Sequence, residues 1–156
     1  MKAVARPQSV ARVPPGCEAI IGNVLDSETY VSAIPRGATF VHLVGTPHPA
    51  PWKGAQFRAV DLVSLEQSVK AAMRAGVAHF VYVSVAHPAP VMKDYISVRT
   101  ECEERLRESG LRATVLRPWY VLGPGHLWPY ALVPLYKIAE KIPATREGAQ
   151  RLGLIS

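Results

Sequence analysis

Apolar residues along this chain follow two different periods. Short runs rich in valine, isoleucine and aromatic residues recur between turn signals, while longer stretches repeat apolar residues every three or four positions. The short runs predict five strands, over Met1–Arg6, Glu18–Ile21, Thr39–Val44, Phe80–Val85 and Arg112–Arg117. Phe80–Val85 is apolar, β-branched or aromatic at every position but Ser84, as expected of a strand covered on both faces. At about 100° per residue, Tyr95, Val98, Cys102 and Leu106 make one inward stripe on a helix over Asp94–Ser109, with Gly110 placed as its C-terminal cap. Leu62, Leu65, Val69, Ala72 and Met73 trace a second helix that runs to Gly76, and Ser64 to Gln67 reads as a capping box at its start. A shorter helix is expected over Glu28–Ile34, capped by Asp26 or Ser27. Pro14, Pro15 and Gly16 mark a turn-rich connection, and prolines at 47, 49, 51, 88 and 90 mark two loops.

Strands that alternate with helices imply right-handed crossovers and a mostly parallel sheet, so the class is a doubly wound α/β fold. The 156 residues suit one domain with a sizeable core. With 49% hydrophobic and 19% charged residues, the composition is that of a folded globular protein. A net charge of +6 suits anionic partners such as nucleotides. The basic residues are scattered and not interleaved with aromatics, which argues against nucleic acid as a partner. Two cysteines, Cys17 and Cys102, make no disulfide framework, and a reducing cytoplasm fits them best. No run of about 18 apolar residues stands in the sequence, so no transmembrane segment is expected. The five histidines lack metal-ligand spacing, and no metal site is expected.

Arg99 falls inside the apolar stripe, four residues after Tyr95, whereas Glu101, Glu104, Arg105 and Glu108 lie on the solvent side. A cation aimed inward is costly unless something meets it. It either snorkels, pairs with a core carboxylate, or stands beside the phenol to face a ligand bearing hydroxyls and phosphates.

Tyr95-Ile-Ser-Val-Arg99 on a crossover helix resembles the Tyr-x-x-x-Lys pair of short-chain dehydrogenases/reductases, with arginine in the lysine position. The context is similar to the atypical and extended members, the NAD-dependent epimerase/dehydratases and NmrA-like proteins. Tyr82-Val-Ser84 precedes the loop, Leu116-Arg117-Pro118 closes the next strand, and Val121-Leu-Gly-Pro-Gly125 follows. The resemblance covers nearly the whole chain. It implies a Rossmann-like sheet that binds NAD(P), in an oxidoreductase or a sugar-nucleotide epimerase/dehydratase relative.

In that family the tyrosine is the general acid/base, and the lysine lowers its pKa and holds the nicotinamide ribose. The resemblance therefore implies catalytic roles for Tyr95 and Arg99, with Ser84 holding the substrate oxygen. The family's serine usually lies slightly further on, where this chain has Ala86 and His87. Cofactor contacts are implied for Arg6, Asn23, Val24, Leu43, Val44, Gly45, Ser84, Tyr95, Arg99 and Pro118. An arginine at position 6, at the end of the first strand, favours a 2′-phosphate and hence NADP over NAD. Asn23 could accept a bond from the adenine amine beside Val24, and Gly45 leaves room for the cofactor.

No Gly-x-Gly-x-x-Gly turn stands in the chain, and Met1 aligns with the family's second strand. The resemblance thus implies a single partial NAD(P)-binding domain over 1–156, lacking its first strand and glycine-rich turn, with 119–156 starting a substrate-side segment. The open inner edges this leaves predict self-association. Arginine for lysine, Ala86 and the absent glycine turn favour a second reading, a non-catalytic NADP(H)-binding structural or sensor protein. The apolar segment 127–136 alone suggests a third, a scaffold in a membrane-associated complex.

Overall fold

The computed structural model describes residues 1–87 and 92–118. Five short strands, β1 (Lys2–Ala5), β2 (Glu18–Ile21), β3 (Thr39–His42), β4 (His79–Val83) and β5 (Ala113–Leu116), form two sheets. β1 pairs with β2 in parallel, Lys2 opposite Glu18. β3, β4 and β5 pair in parallel with β4 central, Thr39 opposite His79 and Phe80 opposite Ala113. Every pairing is parallel and the crossovers are helical, so the fold is the expected Rossmann-like α/β class. The described strands do not join into a single sheet. β1 pairs only with β2 and β3 only with β4 among the described residues, so each keeps an unpaired edge.

Two helices, α1 (Val63–Ala75) and α2 (Lys93–Glu108), pack on one face of the three-stranded sheet. Leu65, Val69 and Ala72 of α1 and Val98, Cys102 and Leu106 of α2 close over Phe80 and Tyr82 of β4. Each such large side chain contributes about 1.5–3 kcal/mol on burial, and this cluster is the core. Residues alternate along β4. Phe80 and Tyr82 are fully buried, while His79, Val81 and Val83 are half-open. The expectation that Phe80–Val85 is covered on both faces is therefore corrected, because both described helices lie on the Phe80 side.

Elsewhere the helical segments differ from the sequence reading. The segment 28–34 forms two 3₁₀ turns, Ser27–Thr29 and Val31–Ala33, rather than one helix. Asp26 does cap the first of them, accepting from the Glu28 N–H at 3.1 Å. Ser64 does not cap α1, since helical backbone already starts at Gly54 and passes through a π turn, Phe57–Leu62. The Ser64 hydroxyl instead donates to the Asp61 carbonyl one turn back, at 3.1 Å. Met73, expected inside, is 54% exposed. Gly76 and Gly110 end their helices as expected, with φ of +66° and +71° in the left-handed region.

Candidate functional site

α2 carries Tyr95 one turn before Arg99, so both side chains project from the same face toward the end of β4. Tyr95 is half-buried, its ring tilted at 59° against Phe57 with centroids 5.0 Å apart. Arg99 is 5% exposed and points inward, as the stripe predicts. Its guanidinium carbon lies 5.1 Å from the Tyr95 ring centroid and 5.8 Å from that of Tyr82. Nη1 donates to the Tyr82 hydroxyl at 3.1 Å and to the Val83 carbonyl at 3.2 Å. Nη2 makes an ion pair with Asp61 Oδ1 at 2.7 Å.

Asp61 sits in the π turn and is itself buried. Its Oδ2 accepts from the Thr46 N–H at 3.0 Å and from the Thr46 hydroxyl at 2.6 Å. A Cβ at Gly45 would collide with Nη2 of Arg99. A side chain at position 45 would therefore have to move the guanidinium. Asp61 was not read as a site residue in the sequence, although counting back from Leu65 in helical steps puts it on the inward face.

Electrostatics follow from this burial. Desolvation pushes the Tyr95 phenol above its ordinary value of 10.0; Arg99 pulls it down, Asp61 pushes it up, and the net shift is upward. Burial likewise raises the Tyr82 phenol, and it lifts the Cys102 thiol to about 11. The neighbouring Tyr82, Tyr95 and Asp61 outweigh the desolvation of Arg99, which stays a cation.

Ser84 follows β4 directly and is buried, its N–H donating to the Leu116 carbonyl at 2.7 Å and its Oγ without a partner. Beside it, buried Glu103 of α2 gathers two loops. Its carboxylate accepts from Arg117 Nε at 2.9 and 3.1 Å and lies 3.3 Å from His87 Nε2. Burial pushes the Glu103 carboxyl up, but Arg117 overcomes this and holds it below 4.5. Ala86 is buried and donates its N–H to the Pro118 carbonyl at 2.9 Å. Arg99 thus reaches the end of β4 through the Val83 carbonyl, and Ser84 is the next residue along the chain.

The remaining residues implied as cofactor contacts all follow the carboxyl ends of parallel strands, where ligands of open α/β sheets bind. Arg6 follows β1 and is exposed. Asn23 follows β2, but its Oδ1 already accepts from the Leu25 N–H at 3.1 Å. Val24 is half-buried beside it. Leu43, 72% exposed, leads from β3 into half-buried Val44 and Gly45. Pro118, half-buried, follows β5. The Val121–Gly125 motif and the segment 127–136 lie outside the described residues. Among those described, no group of histidine, cysteine or acidic side chains could hold a metal, and no helix is long and apolar enough to cross a membrane.

The fold recurs in solved structures. The chain resembles the Bordetella bronchiseptica enzyme WbmH in complex with NAD⁺ at 19% identity and a TM-score of 0.64, covering 87% of this chain and 53% of that one. A nucleoside-diphosphate-sugar epimerase from Staphylococcus aureus gives 22% identity, a TM-score of 0.63 and coverage of 88% and 47%. The UDP-glucose 4-epimerase of Thermotoga maritima, with UDP-glucose, gives 20%, 0.62, and 79% and 48%. At these identities the likeness is one of fold, and the chain spans about half the length of each. No curated protein sequence matches it. The NAD(P)H-binding family model matches residues 1–125, and the chain belongs to that family.

Proposed function

We propose that the protein binds NAD(P)(H) along the carboxyl ends of β1 to β4 and is of the reductase or sugar-nucleotide epimerase/dehydratase type, with Tyr95, Arg99 and Ser84 at its reacting corner. The observation that carries this is the guanidinium of Arg99 held 5.1 Å from the Tyr95 ring centroid where β4 ends. Exposed Arg6 offers a cation for a phosphate, half-buried Val24 an apolar surface for a ring, and Ser84 a hydroxyl beside Glu103. Those residues fit a dinucleotide. A bound nicotinamide supplies the hydride acceptor or donor. Tyr95 then holds or moves a proton at its phenol oxygen, and Arg99 keeps the phenol in place.

Among these 156 residues no glycine-rich turn sets a pyrophosphate on a helix N-terminus, and exposed Arg6 is the side chain here that can meet a phosphate. Arginine after β1 favours NADP over NAD. Fluorescence titration with NADPH and NADH tests both points. Micromolar or weaker binding is expected, tighter for NADPH, with the preference abolished in Arg6→Ala. No response to either nucleotide at millimolar concentration sinks the proposal, and a sub-micromolar dissociation constant would reveal a different phosphate site.

One observation favours a second reading, a non-catalytic NADP(H)-binding structural or sensor protein. Asp61 neutralises Arg99, and the Tyr95 phenol is raised rather than lowered. Cofactor binding without turnover of sugar nucleotides or carbonyl substrates, unchanged in Tyr95→Phe, would select it.

A further inference from the structure

The Asp61 carboxylate touches two parts of the molecule at once. One oxygen takes both the N–H and the hydroxyl of Thr46, in the loop that follows β3, and the other faces Arg99 Nη2 at 2.7 Å. All three residues are buried. The carboxylate reaches this place because the backbone at 57–62 winds as a π turn, a local rewinding that often marks functional positions. Gly45 completes the arrangement, since any side chain there would displace the guanidinium.

We propose that Asp61 is the positioning residue of this site: it fixes Arg99 across the ring of Tyr95 and ties both to the Gly45–Thr46 loop. The inference rests on the reading of Tyr95 and Arg99 as the reacting pair. A buried guanidinium held at both Nη atoms cannot swing toward a ligand phosphate, so Arg99 acts through Tyr95 and not on the cofactor directly. The groups facing Tyr95 are Arg99 and Cys102 from α2 and Asp61 from the π turn. Asp61 therefore also sets how much of the arginine's charge the phenol feels.

Two variants of the full chain separate this from a merely structural ion pair. Asp61→Asn keeps a carbonyl oxygen for Thr46 and Arg99 but removes the charge that opposes Arg99. Gly45→Ala pushes the guanidinium off the ring and alters no charge. Tyr95 ionisation is read as tyrosinate absorbance after a rapid alkaline jump, the Tyr95→Phe signal being subtracted and circular dichroism confirming the fold. In Asp61→Asn the titration moves to lower pH by about one unit, about tenfold in acid dissociation constant. In Gly45→Ala it moves to higher pH. Folded variants that both titrate like the parent overturn the proposal. If Asp61→Asn does not fold, Gly45→Ala decides alone, and no upward shift there overturns it. These titrations need no cofactor, so a failure of NAD(P)H binding would count against the proposed function and leave this inference standing or falling by itself.

Discussion

At the scale of single residues, the sequence shows which charged group goes inside but not what meets it. Arg99 was legible because helical spacing put it among Tyr95, Val98 and Cys102. Its partner Asp61 is 38 positions away; helical steps back from Leu65 turn it inward, but nothing in the spacing pairs it with Arg99. Glu103 was missed for a related reason. It stands next to Cys102 on the edge of the stripe, where a carboxylate ordinarily faces water, yet Arg117 makes burial tolerable by pairing with it. His42 carries a testable consequence of the same kind. It is 2% exposed, with Nδ1 3.1 Å from the Ser68 hydroxyl and Nε2 unpartnered. Burial first, and Arg99 second, lower its pKa from 6.5 to about 4. The unfolded chain therefore takes a proton on this ring below about pH 6.5, while the folded chain refuses it until about pH 4. The stability His42 contributes is full above 6.5 and is lost as pH falls through that window, to a total of roughly 3 kcal/mol. Urea unfolding from pH 7 to pH 4 should show this slope in the parent and a much flatter one in His42→Asn. Equal slopes would mean that the ring is already charged in the fold.

At the scale of elements, α2 and the strand centres were readable because local propensity and burial agree there. Lys93–Glu108 lies within one residue at each end of the expected 94–109. Disagreement came where a polar side chain had two uses. Serine followed three residues later by glutamine matches a capping box, but Ser64 is a buried mid-helix residue bonded back to the Asp61 carbonyl. The 3₁₀ turns of 27–33 arise because Asp26 and Thr29 satisfy the backbone locally. Thr29 Oγ1 donates to the Asp26 carbonyl at 2.7 Å and accepts from the Asn23 N–H at 2.9 Å, holding the segment in tight turns instead of an α-helix. The two serine/aspartate positions should then respond oppositely to removal of the side-chain oxygen. Asp26→Ala loses a working cap and should cost about 1 kcal/mol. Ser64→Ala removes a back-bonding hydroxyl from the interior of a helix and should be neutral to within about 0.5 kcal/mol. Chemical denaturation of both variants measures this, and a Ser64→Ala loss as large as that of Asp26→Ala would restore Ser64 as a helix cap.

At the scale of the whole molecule, alternation of strands and helices was enough to read a parallel α/β fold, but not the division of its sheet. Pairing between strands far apart in sequence depends on which strands lie between them, and the pattern of a strand does not record its neighbours. The division has a physical cost. Among the described residues β3 offers an unpaired row of backbone groups, and the strand and its exit expose Val41 at 52% and Leu43 at 72%, on the side away from α1 and α2. β1 leaves a second such edge, with Val4 exposed on it. Unpaired apolar edges of this kind recruit other chains, and lysine on an edge strand is the usual protection against it. The 156-residue chain should accordingly associate with itself as its concentration rises, and Val41→Lys with Leu43→Lys should suppress this without unfolding the core under Phe80 and Tyr82, since neither side chain belongs to that cluster. Sedimentation velocity over a concentration series, run for parent and double variant, reads the effect directly. A parent chain that stays monomeric throughout would show that these edges are protected in solution, and a double variant that associates as strongly as the parent would move the contact away from β3.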